Sequence, residues 1–286
     1  MDFVFFMLTS SHRGTNKFYY SMKSLTQNTD LSVFNKKYLL CHNITVEHAN
    51  IVSYFAAKYD FEVLLCQGDI MPCLTLNQNL VMAKHPGALF VKCDDDLFFM
   101  PQWLPNLLAT YERNKNHCGL VSSFVPINQA SFDMMLTFFQ ANYANEFAFQ
   151  NRPPLLCDEE LHYWLWDKIL NDRLVERYQN ATDSADDHML DKSSYLHINC
   201  VIYTPKLIET FHQFPTSYVL QESGGYYTDE QILNYLCKKN NLNIIISRNS
   251  LVHHHGFHRI SNAFYEKHTA KSIWSILNKQ ESHGHI

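Results

Sequence analysis

Glycine and proline are scarce in this chain of 286 residues, 8 and 9 respectively. That scarcity excludes collagen-like repeats and proline- or glycine-rich disorder. No apolar run approaches the roughly 18 residues needed to span a bilayer. The first one, Phe3 to Leu8, has no basic segment before it and is too short for a signal-peptide core. These features predict a cytoplasmic protein without an integral membrane segment. Basic residues are also short: Lys and Arg total 23 against 28 Asp and Glu, a net charge of -5, which argues against general nucleic-acid binding. The eight cysteines include no C-x-x-C pair, and Cys41, Cys66 and Cys93 lie inside apolar runs as small hydrophobes do. A disulfide framework is not expected in a chain this long. There is no glycine-rich phosphate loop of Walker or Rossmann type, which removes the ATPase and dehydrogenase readings. Asn43-Ile-Thr and Asn180-Ala-Thr fit glycosylation acceptors, a pattern that arises often by chance.

Apolar residues are plentiful at 46%, with 14% aromatic, enough for a large core. Short apolar runs alternate with helical stretches. Phe3–Thr9, Lys37–Cys41, Phe61–Cys66 and Ala88–Cys93 read as strands. Helical segments fall at Asn16–Leu25, after Thr45, and near Leu76–Lys84. Thr45 can cap its helix, with Glu47 in the first turn. The alternation predicts βαβ units and an α/β fold with a mainly parallel central sheet flanked by helices. Past the fourth strand, Trp103, Leu104, Leu107 and Leu108 mark a helix face. Gly119–Ile127, His197–Thr204 and Ile244–Ser247 read as later strands. Residues 132–190 are richer in helix formers and aromatics. No linker forces a boundary, so one domain over 1–286 is expected, with a ligand-binding half at about 1–128 and a second half at about 129–286.

Three places could carry chemistry. Asp94-Asp95-Asp96 ends the fourth strand, where adjacent carboxylates repel beside a low-dielectric core. A divalent cation relieves that repulsion, and Mn2+ or Mg2+ suits hard oxygen ligands. The alternative is a solvated acidic turn before the next helix. The second place is Asp229-Glu230, after Gly224-Gly225-Tyr226-Tyr227-Thr228. A carboxylate there could act as a general base, or Thr228 and Gln231 could form a capping box with the acids serving the helix dipole. The third is His253-His254-His255-Gly256-Phe257-His258. In a strand His253 and His255 share a face and His254 opposes them. His255 is favoured as a metal ligand, beside the flexible Gly256, with His253 second; a polar loop with incidental histidines is the alternative.

The segment Ala88-Leu-Phe-Val-Lys-Cys-Asp-Asp-Asp-Leu-Phe-Phe resembles the D-x-D region of nucleotide-sugar glycosyltransferases of the GT-A fold. Lys92-x-Asp94-Asp95-Asp96-x-Phe98 is similar to the K-x-D-D-D-x-F pattern of β-1,3-galactosyltransferase and Fringe-like enzymes. Asn77-Gln-Asn79-Leu-Val-Met-Ala-Lys84 resembles the preceding helix in family-2-type transferases, whose polar residues face the nucleotide. The resemblance implies a metal-dependent hexosyltransferase. It would move sugar from a nucleoside-diphosphate donor, UDP-linked, to a sugar or glycan acceptor. It implies Asp96 as direct ligand of Mn2+ or Mg2+, Asp94 on metal-bound water or the donor, and Asp95 orienting the donor. A late histidine, His255 or His253, would be a further ligand. Ser11 and Arg13, after the first strand, and Asn79 and Lys84 would contact the nucleotide. Asp229 would be the base of an inverting reaction, with Glu230 as its competitor, since the usual Glu-Asp order is reversed here. Tyr163, Trp164, Trp166, Tyr226 and Tyr227 could stack on an acceptor sugar, although helical spacing makes core packing the simpler role for the first three. Asp183, Asp186 and Asp187 read as a solvated loop. A metal-dependent hydrolase and a catalytically inactive carbohydrate-binding relative are the competing functions.

Overall fold

The computed structural model describes residues 2–126, 128–146, 160–161, 164–165, 167–168, 172–182, 187–191, 194–211 and 229–254. The apolar run at the N-terminus forms β1 (Phe3–Ser10), and Val4 to Met7 are completely buried. That burial on both faces is what a continuous apolar strand requires. After α1 (Thr15–Asn28) come β2 (Lys36–His42), α2 (Val46–Tyr59), β3 (Glu62–Cys66), α3 (Ile70–Lys84) and β4 (Leu89–Asp94). Thr45 caps α2 as expected, its hydroxyl accepting from the His48 backbone N–H.

These four strands run parallel in the order β3-β2-β1-β4. Their register aligns Ser10 with His42, His42 with Cys66, and Leu8 with Asp94. The carboxyl ends of all four strands therefore share one edge. Strand order reverses at β1, whose neighbours are β2 and β4, so the crevice where ligands settle in open α/β sheets lies above β1 and β4.

Beyond β4 the sheet is mixed rather than parallel. A short strand β5 (Leu97–Phe99) follows the three aspartates. Then come α4 (Trp103–Asn114), β6 (Cys118–Phe124), α5 (Gln129–Tyr143), α6 (Leu174–Ala181), β7 (His188–Met189), β8 (Cys200–Tyr203), α7 (Pro205–Phe211), α8 (Asp229–Lys239) and β9 (Asn243–His254). β8 is antiparallel to β4 and β6, while β6 and β9 are parallel. β9 runs far past the expected Ile244–Ser247. A register shift between Ser123 and Phe124 skips from Ser247 to Leu251, and the Asn249 carbonyl in that bulge accepts from Asn106 and Gln179. A bulge bends and re-aims a strand; past this one, β9 leaves β6 and pairs antiparallel with β5.

Trp103, Leu104 and Leu107 are buried on the expected face of α4. All seven described cysteines are free thiols. No helix among the described residues is long and apolar enough to cross a membrane.

Candidate functional site

The three aspartates sit at the β1–β4 crevice, buried rather than solvated: Asp94 is 7% exposed, Asp95 0% and Asp96 3%. Carboxylates this deep need compensation, and each has its own.

Asp94 receives the Lys92 ammonium on Oδ1 at 2.6 Å and the Asn199 amide on Oδ2 at 3.2 Å. Lys92 is 1% exposed and also donates to the Ile198 carbonyl at 2.6 Å. Burial works against its charge, yet Asp94 and Asp229 prevail and hold its pKa above the ordinary value.

Asp95 is built into the framework. Its Oδ2 accepts from the Thr9 hydroxyl at 2.6 Å and from the Ser10 backbone N–H at 3.0 Å. Ser21 of α1 donates to the Asp95 carbonyl and accepts from the Leu97 N–H, which fixes the turn. Behind Thr9 stands His48, completely buried, its Nε2 2.8 Å from the same hydroxyl. A hydroxyl has one proton to give; with that proton on Asp95, His48 donates from Nε2. Burial pushes the imidazole pKa down to about 4, so the ring is neutral. Burial raises the Asp95 carboxyl to about 6 against the pull of Arg13.

Asp96 faces the β5–β9 ribbon. Leu97 pairs with His254, which brings the His254 Nε2 to 3.1 Å from the Asp96 Oδ2. His253 pairs with Phe98 and lies on the opposite face, fully buried. The structure therefore places His254, not the expected His253, beside the aspartates. His255 lies outside the described residues.

Arg13 ends a 3-10 turn, Ser11–Arg13, followed by Gly14 in the left-handed region at φ 101°. Its Nη1 lies 3.7 Å from the Asp94 Oδ2, 3.5 Å from the Asp95 Oδ1 and 3.6 Å from the Asp96 Oδ1. One nitrogen thus stands almost equidistant from all three carboxylates. Burial opposes its charge, but Asp94, Asp96, Asp95 and Asp229 together raise its pKa.

The acidic pair at the start of α8 divides in two. Glu230 is held by the chain before β8: its Oε1 accepts from the Ile198 N–H at 2.9 Å, its Oε2 from the Tyr195 hydroxyl at 3.1 Å, and His197 Nδ1 lies 3.4 Å away. Burial alone would raise its pKa, but His197 and the Ile198 N–H outweigh that and lower it. Among the described residues Asp229 accepts the local Glu230 N–H at 3.0 Å. Burial raises its pKa; Lys92 opposes this, while Asp94 and Glu230 add to it.

The remaining expected residues divide as sharply. Ser11 is at the crevice, but its hydroxyl ties down α2 by accepting from the Thr45 N–H at 2.7 Å. Asn79 is buried in α3, as are Asn77 and Gln78, and Gln78 accepts from the Tyr203 hydroxyl at 3.1 Å. Lys84 is not at the site. It is at the far end of α3, its ammonium 3.8 Å from Glu62 at the start of β3, on the opposite edge of the parallel strands. Fifteen residues of helix separate the two edges, so one helix cannot present both ends to one ligand. Trp164 packs edge-on against Phe139 and Tyr143 at 5.4 and 5.3 Å, the core role that its helical spacing suggests. Asp187 is no solvated loop residue: Arg113 grips it through Nε and Nη2 at 2.9 and 2.7 Å, and Thr110 and Asn114 donate to it. Tyr163, Trp166, Asp183, Asp186 and the stretch Gly224 to Thr228 lie outside the described residues.

His48 and Asn199 stand in none of the sequence patterns, while Lys92 and His254 stand in two of them without an expected role. Lys92 carried a usable signal, a lysine inside the apolar strand Ala88–Cys93. His48 carried none, because a histidine on a helix declares nothing until its strand neighbour is known.

Among the described residues no group of three or more His, Cys, Asp or Glu is arranged as a ready cation cage. Compared with protein-family models and with curated proteins, the chain matches none.

Proposed function

We propose that this chain is a metal-dependent glycosyltransferase of GT-A architecture, using a UDP-linked sugar donor and inverting the anomeric centre. The observation that carries the reading is the charge balance at the β1–β4 crevice. Among the described residues, Asp94, Asp95, Asp96 and Asp229, with Glu230 beside Asp229, outnumber the permanent cations that face them, Lys92 and Arg13. The excess is negative, the sign of charge that a divalent ion would offset. Asp96 and His254 supply the oxygen and nitrogen donors that Mn2+ accepts readily. A two-residue set suits an ion that completes its shell with water and phosphate oxygens. When bound, such an ion neutralises charge on a departing nucleoside diphosphate.

The chain's own groups divide the remaining work. Asp95, fixed by Thr9 and the Ser10 N–H, holds the turn. Lys92 holds the Asp94 side chain in place through its 2.6 Å contact. Asp229 takes the proton of the acceptor hydroxyl, and its raised pKa makes it a better base than an ordinary aspartate at the same ionisation. Glu230 is engaged by Ile198 and Tyr195 and positions α8. Cytoplasmic work fits the scattered cysteines.

The test is product formation from a panel of UDP-sugars and glycan acceptors with Mn2+. Asp96→Ala should abolish transfer while circular dichroism stays native. Undiminished Mn2+-dependent transfer by that variant would remove Asp96 from the site, and metal-dependent hydrolysis that ignores acceptors would favour a hydrolase.

A further inference from the structure

The resting position of Arg13 is unusual for an arginine among carboxylates. Such pairs normally form short, two-pronged hydrogen bonds of about 2.7–2.9 Å. Here a single nitrogen hovers 3.5–3.7 Å from one oxygen of each aspartate. It makes one long hydrogen bond, to the Asp95 Oδ1 at 3.5 Å, and acts on Asp94 and Asp96 as a point charge at the centre of the triad. Each aspartate meanwhile has a closer partner of its own: Lys92 at 2.6 Å on Asp94, Thr9 at 2.6 Å on Asp95 and His254 at 3.1 Å from Asp96. Removing Arg13 from the centre leaves those contacts in place. The side chain is 30% exposed, so it has a route to solvent, and it ends a three-residue turn followed by Gly14.

We propose that Arg13 is a resident counter-cation: it occupies the centre of the aspartate triad in the resting protein and is displaced outward when a divalent ion enters. This rests on the metal-dependent reading above. Two cations cannot share the centre, because at these distances like charges repel by several kcal/mol in a protein interior, even at an effective dielectric constant of about 20. The displaced guanidinium then faces the mouth of the crevice, where its fork matches a diphosphate. Ion and nucleoside diphosphate therefore bind with positive coupling: the anion gives the displaced arginine a partner, and the ion frees the arginine to meet it. Arg13 also stops the triad from tearing itself apart by repulsion when no ion is bound.

Two measurements test this together. Mn2+ binding to the protein without nucleotide, followed by the electron paramagnetic resonance signal of free Mn2+, should be about tenfold tighter or more in Arg13→Gln than in wild type, since the competing charge is gone. In wild type, Mn2+ should speed modification of Arg13 by an arginine-selective dicarbonyl several-fold, read by mass spectrometry of the peptide that carries it. Equal or weaker Mn2+ binding by a folded Arg13→Gln overturns the displacement while leaving the metal reading intact. Tighter binding with unchanged labelling also overturns it, because charge removal alone would explain the gain. If Arg13→Gln does not fold, the wild-type labelling decides, and a rate unchanged or slowed by Mn2+ counts against displacement. If neither protein binds Mn2+, with or without UDP, the metal-dependent reading fails and this inference falls with it.

Discussion

Asp229 and Glu230 are adjacent, similar in chemistry and opposite in circumstance. Glu230 spends both carboxylate oxygens on Ile198, Tyr195 and the nearby His197; burial would raise its pKa, but His197 and the Ile198 N–H outweigh it and lower it. Asp229 is raised by burial beside Asp94 and faces Lys92. A base must be free to accept a proton, and a group held low by hydrogen bonds is the poorer acceptor. Asp229→Asn should therefore lower kcat by about a hundredfold or more, with donor affinity little changed. Glu230→Gln should keep kcat within a few-fold but lose about 1–2 kcal/mol of stability, because the neutral amide accepts more weakly from the Ile198 N–H. Steady-state kinetics and urea unfolding of both variants separate the roles. The reverse order of effects on kcat would make Glu230 the base.

At the scale of elements, β6 shows how closely a strand and helix can be packed when one residue lacks a side chain. Gly119 has an ordinary backbone conformation, so its value is space. A Cβ there would come within 2.9 Å of the Leu242 Cβ and 3.1 Å of the Cys237 Sγ. Leu242 leads into β9 and Cys237 ends the buried face of α8, so Gly119 sets how close α8 lies to the sheet. Gly119→Ala should cost about 1–3 kcal/mol by overpacking, measured as a lower urea midpoint. It should also disturb transfer more than its distance from the crevice suggests, because α8 carries Asp229 at its first turn. Unchanged stability would mean that Leu242 gives way and the contact has no positioning role. The β9 bulge has a similar consequence: without the register shift at Ser247–Leu251, β9 would stay on β6 and not bring His254 to β5.

For the whole molecule, stability should fall with acidity in a defined window. The buried His48 is neutral in the fold, its pKa about 4 against 6.5 for an ordinary histidine. The unfolded chain therefore takes up a proton at this residue first as pH drops. The stabilisation is intact above pH 6.5 and is lost as pH falls from 6.5 through 4, by about 3 kcal/mol at the lower end. Urea unfolding of wild type at pH 7 and pH 4 should differ by more than that of His48→Gln, which retains a donor for Thr9 but does not titrate. Equal acid sensitivity of the two proteins would show that His48 is not the group responsible. The consequence reaches the site, since protonating His48 leaves a charge with its Nδ1 buried and unbonded, behind the Thr9 that holds Asp95.

Local pattern determined the first four strands and their helices. Continuous apolar runs of four to eight residues between helical stretches have few other folded solutions, and Thr45, Asp94 to Asp96 and the α4 face stand where those patterns put them. The pattern also located the acidic triplet at a strand end. The tertiary structure decided everything that depends on who faces whom. The antiparallel placement of β8, the short β5 and the long β9 arise from pairings between distant segments, and a strand's sequence does not name its partner. The histidine question shows the reason most clearly. Period-two alternation separates His254 from His253 and His255, but only the pairing of Leu97 with His254 says which face meets Asp96. Lys84 shows the converse. Its helix was legible, yet the register of β3 and the length of α3 put its charge at the wrong edge of the sheet. Arg13 belongs to both levels: its position after the first strand marked it in the sequence, but its place at the centre of three carboxylates exists only because β1 and β4 are neighbours.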